Sequence, residues 1–511
     1  MKGDPIQKIV IVGGGTAGWM AAAAISKILG DFPGLSIRLV ESEAIGTVGV
    51  GEATIPQIIS FNNLLGINEF EFMRETNATY KLGIEFVDWL RKGHSYIHPF
   101  GTYGVDMLGI EFHQFWLRGQ ALGHTARLDD FSISAMAGEA GRFAHPRKDQ
   151  PNSPLSRMAY AFQFDAALYG RFLRKRAEAQ GVERVEGRIV EVLQNGESGF
   201  VTGVKLEDGA IVEGDLFVDC SGFRSLLLGQ TLGVPFMDWS KWLPCDRAVA
   251  APCALAGPDK PLTRSTARPA GWQWRIPLQH RIGNGHVYSS SYMSDGDAED
   301  LLLSSLDGEP LAQPNRLRFT AGHRERIWDR NVVALGLAGG FLEPLESTAI
   351  HLVQSGIARL MALFPTKAFS PAEIERYNRE TVADYVEIRD FLVLHYRASE
   401  RDDSEFWRYC RNIAPPPALA DKLEMFHSSG RIFRENQELF TEASWLAVMV
   451  GQGIEPEAYH PAAGLLSQEE TLRRLRHIRQ VVIDTAQQLP PQDEYLAMHG
   501  AAIENSLRQP A

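Results

Sequence analysis

The hydrophobic pattern at the start of the chain predicts a strand, a helix and a second strand. Residues 9–12 form an uninterrupted apolar run that ends in glycine, which is typical of a strand buried on both faces of a parallel sheet. The alanine-rich residues 19–25 favour a helix, and residues 36–40 predict the second strand. Together these segments form a βαβ unit.

A different pattern begins near residue 182. Short β-rich runs over 182–219 are separated by Asn195-Gly196 and Asp208-Gly209, which are strong hairpin turn signals. We expect a small antiparallel meander that returns to the first sheet through residues 216–218. The other segments are predicted in the same way: helices and loops up to about residue 180, a mixed β region over 245–320, a buried strand over 332–335, charged helices after residue 365, and a capped helix that begins at Ser467 and ends before Pro490.

The loop between the first strand and the first helix has the pattern of a dinucleotide site. Gly13 permits a tight turn, Gly15 lets a pyrophosphate approach the backbone, and Gly18 lets helix and strand pack closely. The helix N-terminus offers amide protons to the phosphates, and Glu41, after the second strand, can accept hydrogen bonds from a ribose. The predicted cofactor-binding residues here are Gly13, Gly15, Thr16, Ala17, Gly18 and Glu41.

NAD and FAD both use such a loop, and later features favour FAD. The strand near 216–218 leads into Asp219-Cys220-Ser221-Gly222, and the strand at 332–335 leads into the glycine-rich residues 336–340. A helix near residue 348 can direct its dipole at the flavin. The sequence has no second GxGxxG loop for a nicotinamide, so another protein is expected to supply reduced flavin.

The segment Trp272-Gln273-Trp274-Arg275-Ile276-Pro277 resembles the signature of flavin-dependent halogenases. The chain resembles the tryptophan halogenase branch of that family over nearly its whole length. The supporting segments occur in order: the glycine loop, residues 49–54 (Gly-Val-Gly-Glu-Ala-Thr), Lys81, the Trp motif, and residues 341–348 (Phe-Leu-Glu-Pro-Leu-Glu-Ser-Thr).

The resemblance implies an α/β fold. It consists of an FAD-binding, Rossmann-like domain of the flavin monooxygenase and halogenase type, with an inserted mixed β region and a helical substrate and C-terminal region. The implied divisions are residues 1–95 and 181–365 for the FAD-binding domain, 96–180 for a substrate-pocket insertion, and 366–511 for the helical C-terminal region. It also implies cofactor contacts at Gly49, Gly51, Glu52, Ala53, Gly336 and Leu337.

The implied activity is halogenation of an electron-rich aromatic compound, an indole derivative, with FADH2, O2 and chloride or bromide. Hypohalous acid would cross an internal passage to Lys81, which would hydrogen-bond it or form a haloamine. Glu346 would stabilise the cationic ring, orient the oxidant or take the ring proton. On residue statistics alone, Lys81 would be a solvated surface charge. The alternative for Glu346 is an acid favoured by the dipole at a helix N-terminus, a role compatible with the catalytic one.

Two further segments carry roles implied by the resemblance. Thr348 and Ala349 match the halide site, which backbone amides at a helix N-terminus would form. The family usually has glycine at the second position, so the preference between chloride and bromide stays open. The Trp motif is assigned to substrate binding, as the wall between flavin and substrate (Trp272, Trp274, Ile276 and Pro277). The alternative is a plain hydrophobic core, since two tryptophans at i and i+2 share one strand face.

The substrate site is implied at His98-Pro99-Phe100. Phe100 would stack on the substrate ring, and His98 would form the opposite wall or be an ordinary buried histidine. Residues 430–445 lack the Tyr-Tyr and Phe-Trp pairs of enzymes that act on free tryptophan. Indole, a substituted indole or phenol, and a larger indole-containing molecule therefore all remain candidate substrates.

Composition limits the partners and the compartment. The net charge of −12 makes nucleic acid and anionic lipid poor partners, and the arginines 473, 474, 476 and 479 are interpreted as a solvated helix face. Four cysteines without a CxxC pair predict reduced thiols, no metal site and a cytoplasmic protein. No signal peptide or membrane span is expected. A separate NAD(P)H flavin reductase is the implied partner, and a homodimer is the usual state of family members.

Two other functions are compatible with a flavin site. A flavin-dependent aromatic monooxygenase would hydroxylate its substrate, and the Trp motif together with Lys81 argues against it. A non-catalytic flavin-binding protein would have no use for Lys81 and Glu346 together.

Overall fold

The computed structural model describes residues 3–45, 51–257, 260–435 and 437–503. The chain divides into two compact units, each assembled from separate chain segments. Unit 1 comprises Met1–Asn77, Phe164–Ser240 and Phe319–Val386, and unit 2 comprises Ala78–Gln163, Lys241–Arg318 and Glu387–Ala511.

The strands, in chain order, are β1 Lys8–Val12, β2 Ser36–Glu41, β3 Gly51–Ala53, β4 Thr79–Lys81, β5 Gly83–Val87, β6 Ser95–Pro99, β7 Ala161–Asp165, β8 Glu183–Glu186, β9 Ile189–Gln194, β10 Val201–Leu206, β11 Ile211–Glu213, β12 Leu216–Asp219, β13 Phe236–Asp238, β14 Arg247–Cys253, β15 Thr263–Arg268, β16 Gly271–Pro277, β17 Ile282–Tyr288, β18 Asn315–Arg318, β19 Gly322–Arg324, β20 Trp328–Asp329, β21 Val332–Ala334 and β22 Gly340–Phe341. The α-helices are α1 Thr16–Leu29, α2 Gln57–Leu64, α3 Glu69–Glu75, α4 Phe112–Ala121, α5 Ile133–Glu139, α6 Ala166–Ala179, α7 Asp295–Ser304, α8 Ala349–Ala362, α9 Pro371–Arg397, α10 Glu405–Arg411, α11 Pro417–Ser429, α12 Glu442–Gly451, α13 Gln468–Gln488 and α14 Gln492–Met498. Short 3-10 turns include Gly336–Ala338 and Pro344–Glu346.

Unit 1 is built on a sheet with the strand order β20-β21-β12-β1-β2-β8. The pairs from β21 to β8 are parallel, and β20 adds an antiparallel edge. Residues 9–12 of β1 are almost completely buried, because a central parallel strand is covered on both faces. Helix α1 packs against α6 and α8. The βαβ unit predicted from the sequence is therefore confirmed.

The antiparallel meander of unit 1 is also confirmed. Strand β10 pairs with β9 and β11, and β12 then returns the chain to the parallel sheet beside β1. The turn between β9 and β10 is held by Asn195, whose backbone N–H donates to the carbonyl of Phe200 at 2.8 Å. The Asn195 side-chain oxygen accepts from the amides of Glu197 and Ser198. This is the local hydrogen bonding that makes asparagine a frequent turn residue.

Unit 2 is built on a sheet with the strand order β18-β14-β17-β16-β15-β5-β6. Strands β15 and β5 run parallel, and the other neighbours in this sheet are antiparallel. Helix α7 covers one face through Ala298 and Leu302, which pack against Val249, Ala251 and Tyr288. The mixed β region predicted over 245–320 is thus confirmed.

The sequence prediction was wrong in one region. Between the glycine-rich loop and residue 180 we expected helices and loops, but β4, β5, β6 and β7 lie there. Strand β4 has three residues, too few to show an alternating pattern, and β6 is buried along four of its five residues. Short strands that are enclosed by other elements lack the polar alternation by which a strand is recognised.

The late helices agree with the prediction. The Ser467 side chain accepts a hydrogen bond from the Glu470 amide at 3.1 Å, so the predicted cap begins α13, and this helix ends before Pro490. Within the described ranges, none of the helices combines the length and the apolar character that a membrane span requires.

Candidate active site

The glycine loop of unit 1 lies at the carboxyl edge of the parallel sheet, where β1, β2, β12 and β21 end. Gly13 has a φ of +109°, and a Cβ atom there would lie 2.3 Å from the Cys220 carbonyl oxygen. A Cβ at Gly18 would lie 1.9 Å from the Gly13 carbonyl oxygen. Both positions therefore require glycine. The crevice outside the carboxyl ends of parallel strands is where this type of sheet binds ligands.

The N-terminus of α1 is open toward this crevice. Gly15 is the N-cap, and no described side chain caps the helix there. A Cβ at Gly15 would meet no described atom within 4 Å. Free amide protons, the positive end of the helix dipole and open space fit the pyrophosphate of a dinucleotide.

Glu41 lies beside the same loop. A Cβ atom at Gly14 would lie only 1.4 Å from the Glu41 Oε2, so the carboxylate fills the space beside this glycine. Its Oε1 accepts from Arg184 Nε at 2.5 Å, and Arg174 lies 3.6 Å away. The carboxylate is therefore held by ion pairs on one side of the loop where a ribose would lie.

The remaining predicted cofactor residues are distributed around unit 1. Gly336 has a φ of +62°, and a Cβ there would lie 3.1 Å from the Cβ of Ala17 in α1, so the turn that also contains Leu337 lies against the glycine loop. Thr16 donates to the Ala166 carbonyl at 3.4 Å. Glu52 lies on β3 between buried Gly51 and Ala53, and burial raises the pKa of Glu52 to about 7. Gly49 lies outside the described residues.

Glu346 and the predicted halide residues form the entry to α8. Glu346 ends a 3-10 turn and has no solvent exposure. Ser347 then adopts a left-handed conformation, with φ at +59°, and this reverses the chain into α8. Thr348 is the N-cap, and its side chain makes no capping hydrogen bond to the described residues. The first amides of a helix have no acceptor within the helix, and Thr348 and Ala349 stand at this N-terminus.

Lys81 ends β4 in unit 2 and has no solvent exposure. It pairs with Ala161 across β4 and β7, and its Nζ lies 5.3 Å from the centroid of the Phe100 ring. A lysine is almost never fully buried unless its charge is compensated or used. Residue statistics predict a solvated surface charge, and for Lys81 this prediction was wrong.

A buried polar network holds β4 in place. The Thr79 hydroxyl donates to the Pro277 carbonyl at 2.7 Å, so β4 is fastened to the end of the Trp motif. Gln163 donates to the Tyr80 carbonyl at 3.3 Å and accepts from the Thr263 hydroxyl at 3.1 Å. Gln163 was missed in the sequence because its role depends on partners from distant segments.

The Trp motif forms β16, a strand whose residues are all buried. The rings of Trp272 and Trp274 are 6.2 Å apart, and Trp272 is 6.5 Å from Trp89. A Cβ at Gly285 on β17 would lie 2.0 Å from the Trp274 ring, so this glycine provides the space for that ring.

His98 and Phe100 lie at the end of β6 and just after it, and both are buried. The His98 ring is 5.7 Å from Phe391 and 6.3 Å from Phe440, and these two phenylalanines stack at 3.8 Å. Trp445 completes this group at 4.9 Å from Phe391. Phe391 was missed because helix α9 carries no local signal for it.

Comparison with known proteins identifies the family. The model of the tryptophan halogenase family matches residues 8–468. The chain belongs to the tryptophan halogenase family. Tryptophan 6-halogenase SttH of Streptomyces toxytricini is 37% identical to it, over 97% of this chain and 99% of that protein.

Solved structures of flavin-dependent halogenases have the same fold. Xcc4156 from Xanthomonas campestris is 49% identical, with a TM-score of 0.93, over 97% of this chain and 98% of that protein. BrvH from Brevundimonas sp. BAL3 is 44% identical with the same TM-score, over 96% and 99%. The Rossmann-type flavin fold and the assignment as an enzyme are therefore confirmed, and the comparisons do not favour the alternative of a hydroxylating monooxygenase. As a flavin-dependent halogenase, the enzyme requires a flavin, and its family acts on small aromatic molecules with flavin from a separate reductase.

Proposed function

We propose that this halogenase uses FADH2, O2 and chloride or bromide to halogenate an indole derivative. The observation that carries this proposal is the complete burial of Lys81 beside Phe100 in a member of this family. Reduced flavin with O2 supplies the two-electron oxidation that turns a halide into hypohalous acid. The chain's own residues bind the ions and rings and direct the oxidant.

The residues of unit 1 would hold the cofactor and the halide. Gly13, Gly15 and Gly18, with Thr16 and Ala17 at the start of α1, offer backbone amides and space for the pyrophosphate. Glu41 would accept from a ribose. The other proposed cofactor contacts are Gly51, Glu52, Ala53, Gly336 and Leu337, and the N-terminal amides at Thr348 and Ala349 would hold the halide.

Lys81 and Glu346 are the proposed catalytic residues. An ammonium group shielded from water makes stronger hydrogen bonds than an exposed one, so Lys81 can hold and polarise hypohalous acid instead of losing it to solvent. The buried Glu346 carboxylate can stabilise the positive charge on the ring or accept its proton. The Trp motif (Trp272, Trp274, Ile276 and Pro277) is the proposed wall that separates the substrate from the flavin.

The surroundings of His98 favour a neutral indole over a free amino acid. Phe391, Phe440 and Trp445 occupy the space beside His98 with stacked rings. Lys422 and Glu438, which both contact Trp445, pair with each other at 2.8 Å. Their charges are therefore already compensated, whereas an amino acid's ammonium and carboxylate groups would need partners.

The reaction also requires reduced flavin from outside the chain. We propose an NAD(P)H-dependent flavin reductase as the supplier and the cytoplasm as the compartment, since the cysteines of the described chain are buried, unbridged thiols. Assembly as a homodimer stays a prediction from the family resemblance.

The test is an incubation with FAD, NADH, a flavin reductase and either chloride or bromide. A panel of indole, substituted indoles, phenols and tryptophan would be scored by mass spectrometry. We expect products with a halogen isotope pattern, and more from neutral indoles than from tryptophan. Products that carry only one added oxygen would contradict the proposal.

A further inference from the structure

A depression of about 600 Å3 lies on unit 2, between helix α13 and the loop that follows α4. The described residues that line it include Arg127, Arg476 and Arg479 and one carboxylate, that of Asp130. Arg127 pairs with Asp129, which is not one of those lining residues. The chain as a whole has a net charge of −12, so a cluster of arginines is a local exception to its negative charge. A concave surface of one sign raises the local concentration of ions of the other sign.

Some of the arginine charges on helix α13 are paired with a carboxylate of the same helix, and others are not. Arg473 and Arg474 bind Glu470 of the same helix at 2.8 and 2.5 Å. Arg476, which lines the depression, has no ion-pair or hydrogen-bond partner among the described residues. Its guanidinium is thus available to an anion from solution.

The other two arginines leave part of their donor sets available. Arg479 donates to Asp130 through Nε at 2.8 Å, and Arg127 donates to Asp129 at 2.5 Å through one terminal nitrogen. Each guanidinium carries five N–H donors in a planar fork, so these contacts do not use all of them.

His124 adds a donor to the same wall. Its Nδ1 accepts from the Ala126 amide at 3.3 Å, so the neutral ring carries its proton on Nε2. Burial, followed by the positive charges of Arg479 and Arg476, lowers the pKa of His124, which favours the neutral ring.

The backbone amides just after α4 are not available to a ligand. The amides of Leu122, Gly123 and His124 donate to the last carbonyls of α4 and are already used. A ligand would therefore depend on the side chains of Arg476 and Arg479, and on the apolar surface of Leu122 and Leu472.

We infer that this depression binds a small organic phosphate ester. The dianionic phosphate would lie between Arg476 and Arg479, and the organic part would lie over Leu122 and Leu472. Planar guanidinium forks match the geometry of phosphate oxygens. Arg127 and Arg479 each pair with one aspartate, so Arg476 supplies the uncompensated positive charge that would attract the phosphate. None of the residues that line the depression is among those that we assign to the halogenation reaction.

Calorimetric titration of the FAD-saturated enzyme tests this inference, because bound FAD fills the pyrophosphate site. The probes are phenyl phosphate and inorganic phosphate, and the variants are Arg476→Gln and the matched control Arg473→Gln. We expect phenyl phosphate to bind more tightly than inorganic phosphate. We expect Arg476→Gln to weaken it about tenfold and Arg473→Gln to change it less than about twofold, since a charged hydrogen bond is worth on the order of tenfold in affinity.

Three results would overturn the inference. The first is no binding of either probe, and the second is equal affinity in the wild type and Arg476→Gln. The third is inorganic phosphate binding as tightly as phenyl phosphate, which would remove the role of the apolar surface. Both variants change exposed side chains, and circular dichroism with retained halogenation would show that they are folded.

Discussion

The ammonium nitrogen of Lys81 lies 5.3 Å from the centre of the Phe100 ring, and both residues are buried. The ring face carries partial negative charge, so it stabilises the cation where water cannot. The proposed substrate ring would lie against the same phenylalanine. This arrangement puts the group that would hold the oxidant next to the surface that would hold its target.

Replacing Lys81 tests this directly. Lys81→Met keeps an unbranched side chain that is one atom shorter and removes the charge, so we expect loss of halogenation with retained flavin binding. Product is measured by mass spectrometry and flavin by absorbance of the bound cofactor. The exposed Lys92→Met is the control and should keep wild-type activity. Full turnover by Lys81→Met would remove Lys81 from the mechanism.

Glu346 is expected to be needed for turnover and not for flavin binding. Glu346→Gln keeps the size of the side chain but removes the negative charge that would stabilise the cationic ring or accept its proton. A fall in kcat of about 100-fold is expected from the usual contribution of such groups. Steady-state turnover with FAD, NADH, a flavin reductase, O2 and halide measures it, and the surface variant Glu375→Gln serves as control. An unchanged kcat would reduce Glu346 to a structural residue at the entry to α8.

The raised pKa of Glu52 predicts that the stability of the protein depends on pH. Burial raises the pKa of Glu52 from 4.5 to about 7, so the folded protein retains a proton that the unfolded chain releases. This contribution to the free energy of unfolding is fully present below pH 4.5 and is lost as the pH rises through 7. Its size is below about 3 kcal/mol, because Glu52 is partly exposed.

Chemical denaturation of the flavin-free protein at pH 5.5 and pH 8.5, values chosen about 1 unit or more on either side of the raised pKa, measures this loss. In Glu52→Gln the free energy of unfolding should fall less between the two values. Glu207→Gln, at an exposed position, should behave like the wild type. The same pH dependence in Glu52→Gln and wild type would contradict the prediction.

Gln163 is expected to act as a positioning residue for Lys81. Gln163→Leu removes the hydrogen bond to the Tyr80 carbonyl and leaves the Thr263 hydroxyl without its acceptor, at a cost of about 1–3 kcal/mol in stability. We expect more hypohalous acid to escape to a chemical trap per halogenated product. A purely structural role would lower the amount of active enzyme without changing that ratio. Gln194→Leu, on the exposed meander, is the control.

The parts of the fold that have a local cause were predictable. The buried run at 9–12, the glycine loop and the Asn195-Gly196 turn each need only neighbouring residues to specify their conformation. Strands β4 and β7 were not predictable, because three to five residues enclosed by other elements show no period. The assignment of Lys81 depended on resemblance, since its burial follows from segments distant in the chain.

The sequence by itself determined the dinucleotide loop, the family and the identity of the residues that would do chemistry. Spacing and residue type carry that information, because the turn, the helix start and the Trp motif are local. Only the tertiary structure decided that Lys81 is buried beside Phe100, that Gln163 joins β4 to β15, and that Phe391 and Phe440 stack next to His98. Burial and side-chain pairing depend on contacts between distant segments, and those contacts exist only once the chain has folded.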